Sequence, residues 1–282
     1  MGTLKHIYNR TVRGIFTTLG IHEHVVFIYY EVPQKLVERI RIQRADPKVV
    51  TVEGTSATFS ITTTRERGIT DVEAAEREIL ADILETTMAD DIVYDVGANI
   101  GLYSCLLGQH LGQGSLYAFE PLPANATRIR KNVRLNDLGD TVTVRQVALG
   151  SETKRTEFHI SDDRPGNQTA SLEPQPGTEP IDIELVNGEK LEQRGVPAPD
   201  IVKIDVEGAE LDALEGLTSQ FSAGRPRAIY CEVHRNRGVS PATVKAFFDD
   251  QRFDTEVLVE NMRGGKQQYL KATKDAASPP TD

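Results

Sequence analysis

From residue 91 onward, short apolar runs alternate with stretches of helical spacing. Residues 92–95, 115–119, 142–147, 201–205 and 228–233 read as five buried strands. Between and after them, the segment running to Leu111 and residues 123–136, 209–217 and 241–250 read as helices. This alternation predicts an α/β protein with a doubly wound, mostly parallel sheet. Upstream, 49–54 and 57–62 alternate in polarity about a Gly-Thr-Ser turn, which predicts a β-hairpin. Residues 71–86 place Ala75, Ile79, Leu80, Ile83 and Leu84 on one helical face, with Asp71 as the expected N-cap. A further helix is expected over 33–44, with Leu36, Val37 and Ile40 on one face.

The pattern divides the chain. Residues 1–70 form an N-terminal extension or cap that includes the hairpin, and 71–273 form the main domain. Residues 149–199, rich in Gly, Pro, Thr and acids, interrupt the alternation between the third and fourth strands. They hold one expected strand, 155–160, and a turn at Arg164-Pro165-Gly166-Asn167. An insertion at the carboxyl end of a parallel strand lies where such sheets bind ligands, so it is a candidate lid. The tail, 274–282, is polar and Pro-rich, and disorder is expected.

Composition narrows the function. The chain has 282 residues, 39% hydrophobic and 26% charged, as in ordinary globular proteins. A formal charge of −10 argues against nucleic acid as the main partner. Only 11 of the 32 basic residues are Lys, a balance that fits a high-salt cytoplasm. Cys105 and Cys231 have no CxxC partner, so neither zinc nor a disulfide framework is expected, and both read as core residues. The opening residues lack a secretory apolar region, and the apolar run 25–30 is too short to span a bilayer. A soluble cytoplasmic protein is expected, with membrane-surface association through 1–40 a minor alternative.

Four features carry candidate chemistry. Asp95-Val96-Gly97-Ala98-Asn99-Ile100-Gly101 joins the first strand to a helix. Its glycines allow positive φ and close approach of a ligand, and amides at a helix start favour an anionic group. An acid at the strand end suits an ammonium, and the methionine end of S-adenosylmethionine carries both charges. Glu120 ends the next strand, where an acid accepts hydrogen bonds from ribose hydroxyls in dinucleotide folds. Asp205 and Glu207, in Lys203-Ile204-Asp205-Val206-Glu207-Gly208-Ala209-Glu210, follow the fourth strand and face the same crevice. There they suit cofactor binding, orientation of an acceptor hydroxyl, or a cation. Glu210 reads as a helix N-terminal acid. Glu232 and His234 end the fifth strand on one side of the sheet, with Val233 on the other.

In this order the four features, with Phe119-Glu120-Pro121, Asn132 to Asn136 and Val147-Ala148-Leu149-Gly150, resemble the FkbM-type family of class I methyltransferases from about Glu78 to about Asp254. The resemblance implies a Rossmann-like methyltransferase fold with a mostly parallel seven-stranded sheet. It implies S-adenosylmethionine as methyl donor and O-methylation of sugars, glycans or other small acceptors. It places Asp95, Gly97, Asn99 and Gly101 at the methionine end, Glu120 at the ribose, Ala148 near the adenine and Asp205 at the methyl-transfer centre. Residues 1–70 match nothing assignable and are left to shape the acceptor site or a homodimer contact.

In-line attack of an acceptor oxygen on the sulfonium methyl is the expected chemistry, with Glu207, Glu232 or His234 taking the proton. A carboxylate acceptor needs no base. No metal is assigned, and a divalent cation between Asp205 and Glu232 is a disfavoured alternative. A nicotinamide-dependent oxidoreductase would also use Gly97, Gly101 and Glu120. However, Asn99 stands in the second Gly place of GxGxxG, and Asp95 would sit badly near a pyrophosphate. A non-catalytic S-adenosylmethionine-binding module is the third reading, opposed by Asp205, Glu207, Glu232 and His234.

Overall fold

The computed structural model describes Val37 and residues 46–274, except 169, 171–173, 175, 222–224 and 263. The chain divides into two compact units, 1–46 and 47–282, and the second is described below. Apart from Val37 and Lys274, the helix expected over 33–44 and the expected disordered tail lie outside the described residues.

The unit opens with a hairpin of β1 (Lys48–Val52) and β2 (Thr55–Phe59), paired antiparallel. Expected as part of a cap, it belongs instead with the sheet's core, because Val50, Val52, Ala57 and Phe59 pack among the buried residues of one sheet face. Two helices follow, α1 (Thr64–Thr70) and α2 (Ala74–Thr86), where one was expected over 71–86. The start signal is Thr63. It accepts from the Glu66 amide, and the Glu66 carboxylate accepts from the Thr63 amide, so the two close a capping box. Asp71 is not an N-cap. It ends α1, and its carboxylate takes Lys48 Nζ at 2.5 Å.

Then come β3 (Ile92–Val96), α3 (Leu102–His110), β4 (Ser115–Phe119), α4 (Pro123–Leu135) and β5 (Val142–Arg145). Strand β6 (Ala148–Leu149) leads into the insertion, which holds β7 (Lys154–Ile160), β8 (Glu179–Val186) and α5 (Gly188–Gln193). The chain continues through β9 (Ile201–Ile204), α6 (Glu210–Gly216), β10 (Ala228–His234), α7 (Pro241–Asp250), β11 (Asp254–Met262) and β12 (Gln267–Thr273). The main sheet runs β11-β12-β10-β9-β3-β4-β5. Its strands are parallel except that β12 lies antiparallel to both β10 and β11. This is the Rossmann-like class I methyltransferase arrangement, α/β with a mostly parallel seven-stranded sheet.

Buried residues alternate between the two faces. Val93, Ile201 and Tyr230 pack with α2, α3 and α4, while Tyr94, Val202 and Ile229 pack with α6 and α7. A strand buried on both faces reads as a continuous apolar run, which is why β3, β9 and β10 stood out. The strand expected over 142–147 ends early, at Arg145, and β6, which lies beyond that run, joins the separate sheet β6-β8-β7. The insertion is thus a small sheet with two full strands where one was expected. Among the described residues no helix is long and apolar enough to cross a membrane.

Candidate functional site

The loop after β3 is held where three strands end. Gly97 and Ala98 both donate to Phe119 O (3.0 and 3.1 Å), and the Asp205 amide donates to Val96 O (3.0 Å). Gly97 lies at φ +75°, and a Cβ there would sit 1.8 Å from Asp205 O. Gly101 opens α3 at φ +85°, under Ile129. Asn99 and Glu207 take positive φ, +53° and +49°. For Glu207 that conformation carries strain, and such strain concentrates at functional positions.

Two cavities meet at this loop. The first, of about 420 Å³, has Gly97, Asn99, Glu120, Ala148, Asp205, Glu207 and Arg237 in its walls. The insertion contributes Phe158, Asn167 and Gln168 to it. That segment is tied to α4: Asn125 Nδ2 donates to Asn167 O (3.1 Å), and Gly166 N donates to Asn125 Oδ1 (2.8 Å). The second cavity, of about 390 Å³, shares Gly97, Asn99, Gln168 and Asp205 and adds Glu76, Tyr103 and Lys203. Both volumes suit small-molecule binding.

Asp95 is fully buried and lines neither cavity. Ser104 Oγ donates to its Oδ2 (2.6 Å), and Lys203 Nζ stands 3.2 Å from its Oδ1. Lys203 also donates to Gly97 O (3.2 Å) and faces Asp205 Oδ2 at 3.8 Å. Burial would lower this ammonium's pKa, but the charges of Asp95 and Asp205 hold it above the ordinary lysine range. The sequence alone assigns Lys203 no role, although it opens the motif that holds Asp205 and Glu207. Its partner Asp95 is 108 residues away.

Glu120 is 5% exposed. Its Oε2 accepts from the Asn99 amide (2.8 Å) and its Oε1 from the Leu122 amide (2.9 Å). Burial pushes its carboxyl up to about 7, against those two hydrogen bonds, which pull the other way.

Beside the first cavity, β9 and β10 gather a second group. His234 Nε2 lies 3.7 Å from Asp205 Oδ1, 3.7 Å from Glu207 Oε1 and 3.8 Å from Glu232 Oε1. Its Nδ1 meets Glu210 Oε1 at 2.5 Å. Glu210, read from sequence as a helix-end acid, also accepts from the Gly208 amide (3.0 Å) and thereby orients this imidazole. Burial lowers the imidazole's pKa, but the Glu210 hydrogen bond and the charges of Asp205, Glu232 and Glu207 outweigh it, raising it to about 9. The structure therefore brings Asp205, Glu207, Glu232 and His234 together. It places Asp95 and Gly101 behind the loop they shape.

A strand-end glycine loop, an acid closing the next strand and a polar cluster facing both are a methyl-transfer layout. Residues 95–255, more than half of the chain, match the methyltransferase FkbM domain. The chain belongs to the FkbM methyltransferase family. As an FkbM-family protein it is an S-adenosylmethionine-dependent methyltransferase, which removes the nicotinamide reading and the non-catalytic one. It is 28% identical over 217 residues to the hexuronic acid methyltransferase AglP of Haloferax volcanii, covering 76% of this chain and 85% of that one. It is 31% identical over 173 residues to the 31-O-demethyl-FK506 methyltransferase FkbM of Streptomyces tacrolimicus, covering 51% and 65%. Among solved structures, a precorrin-6y C5,15-methyltransferase from Geobacter metallireducens aligns with a TM-score of 0.44 at 16% identity, over 71% of this chain and 89% of that one. The cavity walls fit the family's cofactor. Gly97 leaves the space a side chain would fill, and Asn99 Oδ1 is buried with no hydrogen-bond partner among the described residues.

Proposed function

We propose that this methyltransferase acts on an oxygen of a hexuronic acid within a glycan. The observation that carries this reading is the convergence of Asp205, Glu207, Glu232 and His234 beside the cofactor cavity, at the ends of β9 and β10. These are groups that hold and orient an oxygen acceptor. Arg237 lines the same cavity, about one-third exposed, with Nε 3.6 Å from Glu207 Oε2. Its guanidinium suits a sugar carboxylate. The hexuronic acid methyltransferase relative, aligned over three-quarters of the chain, supports that acceptor class.

S-adenosylmethionine supplies an electrophilic methyl group when bound. Glu120 would accept from its ribose hydroxyls, Ala148 would lie by the adenine, and Gly97 and Asn99 would line the methionine end. Asp95 and Gly101 would act by shaping the loop, and Lys203 would hold Asp95 and Asp205 in place. Asp205 would face the reacting centre. For a hydroxyl acceptor Glu207 or Glu232 takes the proton, and His234 does so only above its raised pKa of about 9, whereas a carboxylate arrives already ionised. The insertion would serve as a lid that keeps water out.

The test is transfer of labelled methyl from S-adenosylmethionine to oligosaccharides that carry uronic acids, with neutral oligosaccharides as comparison. Label is expected only in the uronic acid series. An alkali-labile product marks a methyl ester, and an alkali-stable product marks an ether. Equal labelling of neutral sugars would defeat the proposal. Retained turnover in both Glu232→Gln and His234→Ala would exclude these two as essential bases and favour the carboxylate acceptor.

Glu120 makes the cofactor step pH-dependent. Only its ionised form offers both oxygens to a diol, and its carboxyl protonates near pH 7. Binding of S-adenosylhomocysteine should therefore weaken as pH falls from 8 to 6, by up to about tenfold per unit below 7. Calorimetry should show this slope in the native chain and a flat profile in Glu120→Gln. A native profile as flat as the variant's would remove Glu120 from the ribose site.

A further inference from the structure

His234 is 1% exposed, and its Nε2 has no hydrogen-bond partner among the described residues. It points at oxygens of Asp205, Glu207 and Glu232, 3.7 to 3.8 Å away. That separation is too long for hydrogen bonds and suits an atom between them. One atom each from Asp205, Glu207 and His234 lies within 4.8 Å of the other two. Around an ion with ligands at about 2.1 Å, neighbouring ligand atoms are about 3 Å apart and opposite ones about 4.2 Å. Shifts of a few tenths of an ångström would close the group on such an ion.

The imidazole is also set up as a ligand. Its Nδ1 is engaged by Glu210, so in the neutral ring Nδ1 carries the proton and Nε2 carries the lone pair. A carboxylate behind a histidine is the usual support of a metal-bound imidazole. Glu210 is itself fully buried and accepts the Gly208 amide, which leaves the ring little freedom to turn. An ion could enter from the cavity side, where Asp205 and Glu207 are 25% and 20% exposed.

We propose that Asp205, Glu207 and His234, with Glu232 adjoining, bind one divalent cation at the edge of the cofactor cavity. Carboxylates suit Mg²⁺, Ca²⁺ and Mn²⁺, whereas imidazole selects for transition ions, so Mn²⁺ is the ion that fits both. The expected disfavoured pair, Asp205 with Glu232, becomes a set centred on His234. Cation binding stands independently of the acceptor. The further role of the ion, holding an acceptor oxygen against Asp205, rests on the hexuronic acid reading.

The experiment is titration of the chelator-stripped full chain with Mn²⁺, following loss of the free-ion electron paramagnetic resonance signal. One saturable site per chain is expected, with nitrogen modulation in the spin echo of the bound ion. Asp205→Asn and Glu207→Gln, both partly exposed, should keep the fold by circular dichroism and weaken binding by tenfold or more. Glu210→Gln should weaken it about 10–100-fold through the imidazole alone, and His234→Ala should abolish the nitrogen modulation. Asp182→Asn, an exposed carboxylate on β8, should change nothing. Weak binding at several sites, or a single site that survives Glu207→Gln and His234→Ala, would overturn the proposal. A single site lost in those variants supports it even if uronic acid glycans prove not to be methylated. Methyl transfer at full rate in excess chelator, together with no Mn²⁺ site, removes the cation and leaves the methyltransferase reading intact.

Discussion

Gly97→Ala is expected to abolish cofactor binding and to destabilise the protein by about 2–5 kcal/mol. An alanine held at φ +75° costs about 1–2 kcal/mol. Forcing a methyl into packed structure costs about 1–3 kcal/mol more. The atom it would meet is a backbone oxygen, Asp205 O at 1.8 Å, which cannot swing aside as a flexible side chain can. Relief therefore means separating the ends of β3 and β9. The same movement would disturb Lys203 on Gly97 O, the Gly97 amide on Phe119 O, and the position of Asp205 in both cavities. Calorimetry with S-adenosylhomocysteine should show no measurable binding where the native chain saturates. Gly139→Ala is the control, since nothing lies within 4 Å of a Cβ there, and it should behave like the native chain. A Gly97→Ala protein that binds with native affinity would refute the idea that backbone contact with Asp205 dictates the glycine.

The second large effect concerns stability. Arg128 on α4 and Glu66 on α1 form a buried ion pair, Nε to Oε1 2.6 Å, with side chains 8% and 0% exposed. Arg128 also reaches Ser60 O and Thr62 Oγ1, while Glu66 Oε2 accepts from the Thr62 and Thr63 amides. Arg128→Met leaves a carboxylate in the interior with no countercharge, and the expected loss is about 3–5 kcal/mol by urea unfolding. Glu66→Gln in the same background should restore much of it, because an amide keeps the cap without the stranded charge. Equal losses in the single and double variants would mean that Arg128 acts by packing alone. The consequence reaches the site, since α1 supplies Gly68 and Ile69 to the second cavity.

Both effects involve residues whose partners lie far along the chain, and this sets how much was legible beforehand. Strands β3, β9 and β10 were readable because burial on both faces makes their sequences apolar throughout. Helix α7 was readable to the residue, since Pro241 marks its start and apolar spacing its length. Strand β8 was missed. Pro180 lies within it, and a proline argues against a strand unless, as here, it sits near the strand's end opposite His159. Strands β11 and β12 entered only through the family resemblance, although Gly264 and Gly265 mark the turn between them.

The candidate site divides in the same way. Local pattern by itself determined the loop from Asp95 to Gly101, the acid at the end of β4, and the acids and imidazole ending β9 and β10. Each follows from a strand that stops and a turn that starts, within a few residues. Only the tertiary structure decided how those pieces work together. It buried Asp95 against Lys203 and Ser104 instead of exposing it to the cavity, and it placed Glu210 behind His234. It aimed His234 Nε2 at Asp205 and Glu207. Hydrophobic periodicity records which face of an element is buried. The pairing of charges across elements depends on sheet order and on which side chains exclude water from them, and no window of sequence contains that information.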